Sequence, residues 1–198
     1  MCMRDTLDVR LTFNLFGDCM QVAQSAAERS PRIYLAGFDV FRPDAAEHGE
    51  HLKALCIERG FTGLYPSDSG LPAGLSPQVA ARWICDANLA LIRAADAVMA
   101  NLNDFRGAGE PDTGTAFEVG FAVALGKPVW GYRSDELPLV ARAAVRTDEE
   151  AAFCSRGFIV EDFGLPLNLM LACTVELIVG DAATCLDAIR EALRAAPR

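Results

Sequence analysis

Histidine is almost missing from this chain: His48 and His51 are its only two among 198 residues. They stand three apart in a predicted helix, with no Cys, Asp or Glu at a matching distance. They read as surface or loop-facing side chains, and no metal site is expected. Positive charge is also scarce. Eighteen Lys and Arg face 27 Asp and Glu, giving a formal charge of −9 and a pI near 4.7. A chain of this balance is not built to track a phosphate backbone, which excludes a nucleic-acid polymer as partner. Free bases, nucleosides and other small polar ligands need no cationic surface and stay open. No C-x-x-C occurs, and the seven cysteines are odd in number and irregular in spacing. That usage fits reduced thiols in a cytoplasmic protein, several of them core residues, and argues against a disulfide framework. Gly126-Lys127-Pro128 lacks the G-x-x-x-x-G-K spacing of a phosphate loop, so Lys127 reads as a favourable helix end. The most apolar stretch, Leu165 to Gly180, is too short to span a bilayer and is broken by Asn168 and Glu176. It is expected to be a buried helix, with no membrane partner. Arg4, Asp5, Asp8 and Arg10 interrupt any apolar run near the start, so no signal peptide is expected. Repeats and low-complexity tracts are also lacking.

What is present is a core. Fifty-two per cent of the residues are apolar, enough for one α/β domain. Residues 1–31 show no clear period and form an N-terminal extension of unclear structure; residues 32–198 form the domain. Ile33 to Ala36 reads as a buried strand stopped by Gly37. A helix is predicted over Asp44–Arg59, with Leu52, Leu55, Cys56 and Arg59 at helical spacing and Gly60 as its stop. Strands follow at Phe61–Tyr65, Ala97–Leu102 and Pro128–Tyr132, with helices at Gln78–Ala94 and Thr113–Leu125. Ser134 to Arg156 is a charged insertion, expected to be the most mobile segment. A weak fifth strand is placed at Gly157–Val160, and two helices at Pro166–Val179 and Ala182–Ala195. Alternating strands and helices predict a doubly wound, flavodoxin-like or Rossmann-like domain. Its five-stranded, mainly parallel sheet carries helices on both faces. In such sheets ligands bind beyond the carboxyl ends of the strands. That places a site among Gly37–Pro43, Pro66–Pro77, Asn103–Asp112 and Gly131–Asp135.

The most informative stretch is Phe105 to Gly120, F-R-G-A-G-E-P-D-T-G-T-A-F-E-V-G. It leaves a strand, turns through glycines and enters a helix that Asp112 or Thr113 can cap. Glu118 then falls in the first two turns among Ala116, Phe117, Val119 and Phe121. Two readings stand: a solvated helix carboxylate, or a functional or paired one. The apolar neighbours favour the second. Gly114 and Gly120 permit close approach of backbone or ligand. Trp83 reads either as packing or as a stacking platform for a base. Arg106 either contacts ligand or fixes its loop.

The run E-P-D-T-G-T-A-F-E-V-G, preceded by A-D-A-V-M-A-N-L and F-R-G, resembles the core signature of nucleoside 2-deoxyribosyltransferases. The resemblance extends to I-Y-L-A-G-F-D-V-F-R-P-D at Ile33–Asp44, which includes Gly37 and Phe38, and to F-G-L-P-L-N-L-M-L at Phe163–Leu171. It implies an activity of nucleotide salvage on 2′-deoxyribonucleosides and free nucleobases, with no cofactor. Glu118 would be the nucleophile at C1′, Tyr34 the residue that orients it, and Asp112 a holder of the sugar. Asn168, accompanied by Met170, would reach the site of a neighbouring subunit in a homo-oligomer. In some members an aspartate eight residues before the position of Asp96 is proposed to protonate the leaving base. Here that position is Asn88, which can hydrogen-bond a base but cannot act as a general acid. Asp86, Asp112 and water remain as proton donors.

Three functions follow for comparison. The first is deoxyribosyl transfer through a covalent intermediate on Glu118. The second is hydrolysis of a nucleoside or nucleotide N-glycoside. Nucleotide-hydrolysing relatives place serines where a phosphate would sit, whereas this chain has Asp112 and an aspartate/threonine-rich loop. The third is a non-catalytic nucleoside-binding module, disfavoured by Tyr34, Asp112, Glu118 and Asn168 occurring together. The positive end of the Thr113 helix and a hydrogen bond from Tyr34 are expected to favour an ionised Glu118.

Overall fold

A computed structural model describes residues 29–195. The N-terminal extension, with Cys2 and Cys19, lies outside the described residues except for its last three. From Pro31 onward the strands are β1 (Arg32–Ala36), β2 (Thr62–Leu64), β3 (Ala97–Asn101), β4 (Val129–Arg133), β5 (Arg146–Thr147), β6 (Ala152–Phe153) and β7 (Glu176–Val179). The helices are α1 (Ala45–Glu58), α2 (Pro77–Ala94), α3 (Thr113–Ala124), α4 (Leu139–Ala143), α5 (Leu169–Ala172) and α6 (Ala182–Ala195). Short 3-10 turns occupy Phe38–Phe41 and Pro66–Ser69.

The sheet order is β2-β1-β3-β4-β7, with every pairing parallel. This is the expected five-stranded doubly wound α/β sheet. Side chains alternate across a strand, so successive residues of β1 enter opposite layers. Ile33 and Leu35 pack with Leu52 and Cys56 of α1 and with Cys185, Leu186 and Ile189 of α6. Tyr34 and Ala36 pack on the other face with Ile92 of α2 and Val119 and Ala122 of α3. Arg59 binds both carboxylate oxygens of Asp187 at 3.1 and 3.3 Å, tying the end of α1 to α6. Lys127 reaches beyond its own helix: its Nζ donates to the carbonyls of Arg93 (3.0 Å) and Ala95 (2.6 Å) at the end of α2.

Two expectations fail. The fifth strand is Glu176–Val179, not Gly157–Val160; of the latter, only Ile159 makes a bridge, to Phe153. The buried helix at Pro166–Val179 is not formed: four residues, Leu169–Ala172, are helical, and the rest of the run turns into β7. A short apolar run has no period that separates a strand from a buried helix. The charged insertion at Ser134–Arg156 holds α4 and the small antiparallel β5–β6 sheet. Arg142 of α4 bonds the Asp104 carboxylate and the Pro166 carbonyl, and buried Arg133 reaches Asp104 at 3.2 Å. Among the described residues no helix is long and apolar enough to cross a membrane.

Candidate active site

The strand order reverses between β1 and β3, where a doubly wound sheet opens a crevice at its carboxyl edge. Tyr34 sits on β1 facing α2 and α3, and its position in the alternation decides that. Glu118 comes from α3, whose start is fixed by Asp112. The Asp112 Oδ2 accepts from the backbone N of Thr115 (2.8 Å) and from its Oγ1 (3.0 Å), so Asp112 is the N-cap. Asn88 comes from the middle of α2.

These residues meet at one carboxylate. Tyr34 Oη donates to Glu118 Oε1 at 2.6 Å, and Asn88 Nδ2 reaches the same oxygen at 3.5 Å. Neither bond uses Oε2. Above them opens a cavity of about 420 Å³, the size of a small-molecule site. Gly37, Asn88, Asp112 and Glu118 line it, with an apolar wall that includes Phe41, Leu71, Trp83 and Ile84. Trp83 therefore faces the cavity, and with Ile84 and Asn88 forms one helical face of α2.

Burial dominates the electrostatics of Glu118. It pushes the carboxyl up to about 7; the Tyr34 hydrogen bond pulls it down, the Asp112 charge raises it, and Asn88 lowers it again. Tyr34 does favour ionisation as expected, but desolvation outweighs it. The Tyr34 hydroxyl is raised, chiefly by burial and then by the Glu118 charge, so it stays protonated and remains a donor.

The other expected residues lie apart. Asp86 is exposed beside Arg82 and outside the cavity lining, as residues two apart on a helix must diverge. Phe38 stacks on Phe105 with centroids 5.0 Å apart. Arg106 adopts φ 58° and lays its guanidinium over the rings of Phe105 and Phe41, so it fixes its loop. Asn168 is exposed; it caps α5 through Met170 N (3.0 Å) and donates to Glu161 (2.9 Å). Met170 is 67% exposed. Neither joins the Glu118 cavity. Gly114, by contrast, lines the cavity beside Asp112, where a Cβ would lie 3.0 Å from the carboxylate; Gly120 faces open space. Among the described residues no group of three or more His, Cys, Asp or Glu could hold a metal. His48 is turned inward, its Nε2 3.2 Å from Asp39 Oδ1. Phe41 and Leu71 lie on loops expected to border the site, though neither was singled out; Ile84, on α2, was missed. Ile84 had a legible signal, since it lies one helical turn from Asn88.

Comparison with known proteins identifies the family and the fold. An uncharacterized protein of Schizosaccharomyces pombe is 32% identical over 118 residues, 59% of this chain; the match spans 56% of that protein's length. A solved 2-deoxyribosyltransferase from Leishmania mexicana is 35% identical with a TM-score of 0.66, over 81% of this chain and 97% of that one. A 2-deoxyribosyltransferase from Bacillus psychrosaccharolyticus shares the fold at 21% identity and a TM-score of 0.52, over 80% and 90% of the two chains. Residues 33–170, most of the described domain, match the nucleoside 2-deoxyribosyltransferase family, and the chain belongs to it.

Proposed function

We propose that the chain moves 2-deoxyribose from one nucleobase to another by attack of Glu118 on the N-glycosidic bond of a 2′-deoxyribonucleoside. The observation that carries this reading is the Glu118 carboxylate in its apolar cavity, with both donors gathered on Oε1. Oε2 is left to act. It bonds to C1′ as the C1′–N bond breaks, and the bond's electron pair goes to the base nitrogen. The 2-deoxy sugar lacks an electron-withdrawing hydroxyl, so positive charge at C1′ forms readily, and the Glu118 and Asp112 carboxylates stabilise it. Tyr34 orients Glu118, and Asp112 holds a sugar hydroxyl. The nitrogen of a second base then attacks C1′ and releases Glu118, losing its proton as it bonds.

The leaving base takes its proton from water. Asn88 has none to give, and Asp86 is outside the cavity. Among the described residues no lysine or arginine lines the cavity, whereas two carboxylates do. A 5′-phosphate would be unpaired there, so nucleosides fit and nucleotides do not. Asn168 and Met170, exposed and away from this chain's own cavity, are proposed to complete the cavity of a neighbouring copy in a homo-oligomer.

Incubation with a 2′-deoxynucleoside, with and without a second free base, tests the reading by chromatography of the products. Exchange that needs the second base, and is abolished in Glu118→Ala, is expected. Free base released without an acceptor would make the chain a hydrolase. No turnover, with nucleoside binding unchanged in Glu118→Ala, would defeat both enzymatic readings.

A further inference from the structure

The turn from Gly37 to Phe41 is a wall with two sides. Gly37, Val40 and Phe41 line the Glu118 cavity. Asp39 turns the other way, into a second cavity of about 300 Å³ that it lines with His48, Asn101 and Tyr132, among others. Asp39 is 6% exposed, a buried carboxylate that glycosyl transfer does not use. A buried charge is stable only when its oxygens are satisfied. Its Oδ2 accepts from Asn101 Nδ2 at 2.9 Å, and Oδ1 lies 3.2 Å from His48 Nε2. Asn101 Oδ1 accepts in turn from the backbone N (3.2 Å) and Nδ2 (2.8 Å) of Asn103, and Asn103 Oδ1 accepts from Ser134 N at 2.9 Å. These bonds run in one line across the carboxyl ends of β1, β3 and β4, under the edge of the cavity. Gly37 lets them lie that close: a Cβ there would stand 2.7 Å from Asp39 Oδ2 and 2.9 Å from Asn101 Cβ.

A carboxylate only accepts, so it dictates the orientation of the Asn101 amide, which then dictates that of Asn103. We propose that Asp39 is a positioning residue for the Glu118 cavity, holding the Gly37–Phe41 turn through Asn101 and His48 so that Val40 and Phe41 keep the shape that receives the nucleoside. This rests on the deoxyribosyl-transfer reading and deepens it, since it names what sets the cavity's wall.

The donor and acceptor order makes a reversible test. Asn101→Asp sets two carboxylates against each other and opens the turn. Adding Asp39→Asn restores a donor toward position 101 while keeping an acceptor for His48. Binding of a 2′-deoxynucleoside is followed by the fluorescence of Trp83, which lines the cavity, alongside kcat, KM and thermal melting. Asn101→Asp is expected to weaken binding roughly ten-fold, with kcat falling far less than kcat/KM, and the double variant to recover most of the loss. A merely structural effect would lower the melting temperature and the active fraction without moving the dissociation constant. Where Asn101→Asp does not fold, Asp39→Ala takes its place and is expected to weaken binding similarly. Wild-type affinity in Asn101→Asp or Asp39→Ala, or no recovery in the double variant, overturns the proposal. Wild-type binding without turnover defeats the transfer reading alone; a wild type that neither binds nor turns over defeats both.

Discussion

Glu118 holds its proton to about pH 7 because burial penalises its charge more than Tyr34 and Asn88 reward it. The unfolded carboxyl releases its proton near the ordinary 4.5. Between those two values the folded chain binds the extra proton, so stability is fully present below about 4.5 and is lost as pH rises through about 7. Glu118→Gln keeps an acceptor for Tyr34 and removes the ionisation. It should match the wild type near pH 4.5 and exceed it above pH 7 by about 3 kcal/mol, at 1.36 kcal/mol per pH unit. Urea denaturation at pH 5 and pH 8 measures the difference, and a gain larger at pH 5 would contradict it. In the proposed transfer activity runs the opposite way, since that reading needs the ionised form to attack, so the rate should rise through pH 7. Glu118 was conspicuous in the sequence as a carboxylate among apolar helix residues. Its partners were not visible from local pattern: Tyr34 lies 84 positions away and reaches it only through strand alternation.

At the scale of elements, α1 meets the end of β2 through a glycine. A Cβ on Gly49 would lie 2.7 Å from two ring carbons of Tyr65, whose side chain is 2% exposed. Alanine normally stabilises a helix interior relative to glycine by roughly 1 kcal/mol. Here the clash reverses that, and Gly49→Ala should destabilise by about 1–3 kcal/mol, read as a lower denaturation midpoint. The early elements were legible because their signals are local: a strand stopped at Gly37, a helix stopped at Gly60, a helix opened at Asp112. The later ones were not. The run from Leu165 to Gly180 has neither a clean helical nor a clean strand period, and whether Glu176–Val179 becomes a strand depends on the open edge of β4. The elements of the insertion at Ser134–Arg156 were not legible either, because their partners are distant. Asp104 gathers Arg133, Arg142 and the backbone N of Gly109.

Across the whole molecule, the formal charge of −9 and the two carboxylates of the cavity, Asp112 and Glu118, both favour the uncharged nucleoside of the proposed reaction. The expected site residues divide into two groups. Tyr34, Asn88, Asp112 and Glu118 converge; Asn168 and Met170 stand outside on an exposed segment. The resemblance assigns Asn168 and Met170 to a neighbouring copy's site, and their distance from this copy's cavity is compatible with that assignment. Met170→Asp should therefore reduce the assembly and the base-exchange activity together while Glu118 is untouched. Size-exclusion chromatography with light scattering and the exchange assay check this, and a monomeric, fully active wild type would refute it. Lys127 carries a last consequence, for the chemist who wishes to attach the protein to a surface. The sequence offers two lysines, and both are occupied: Lys127 by two helix-end carbonyls, Lys53 by Asp68 and Glu50 at 2.8 Å. An amine-directed linker must break one of those ties to react with a side chain. A thiol-directed one meets Cys85 and Cys173 exposed. Cys85 adjoins Ile84 on the cavity's own wall and Cys173 ends the α5 segment that carries Met170, so a linker on the first should block nucleoside entry and one on the second the proposed assembly.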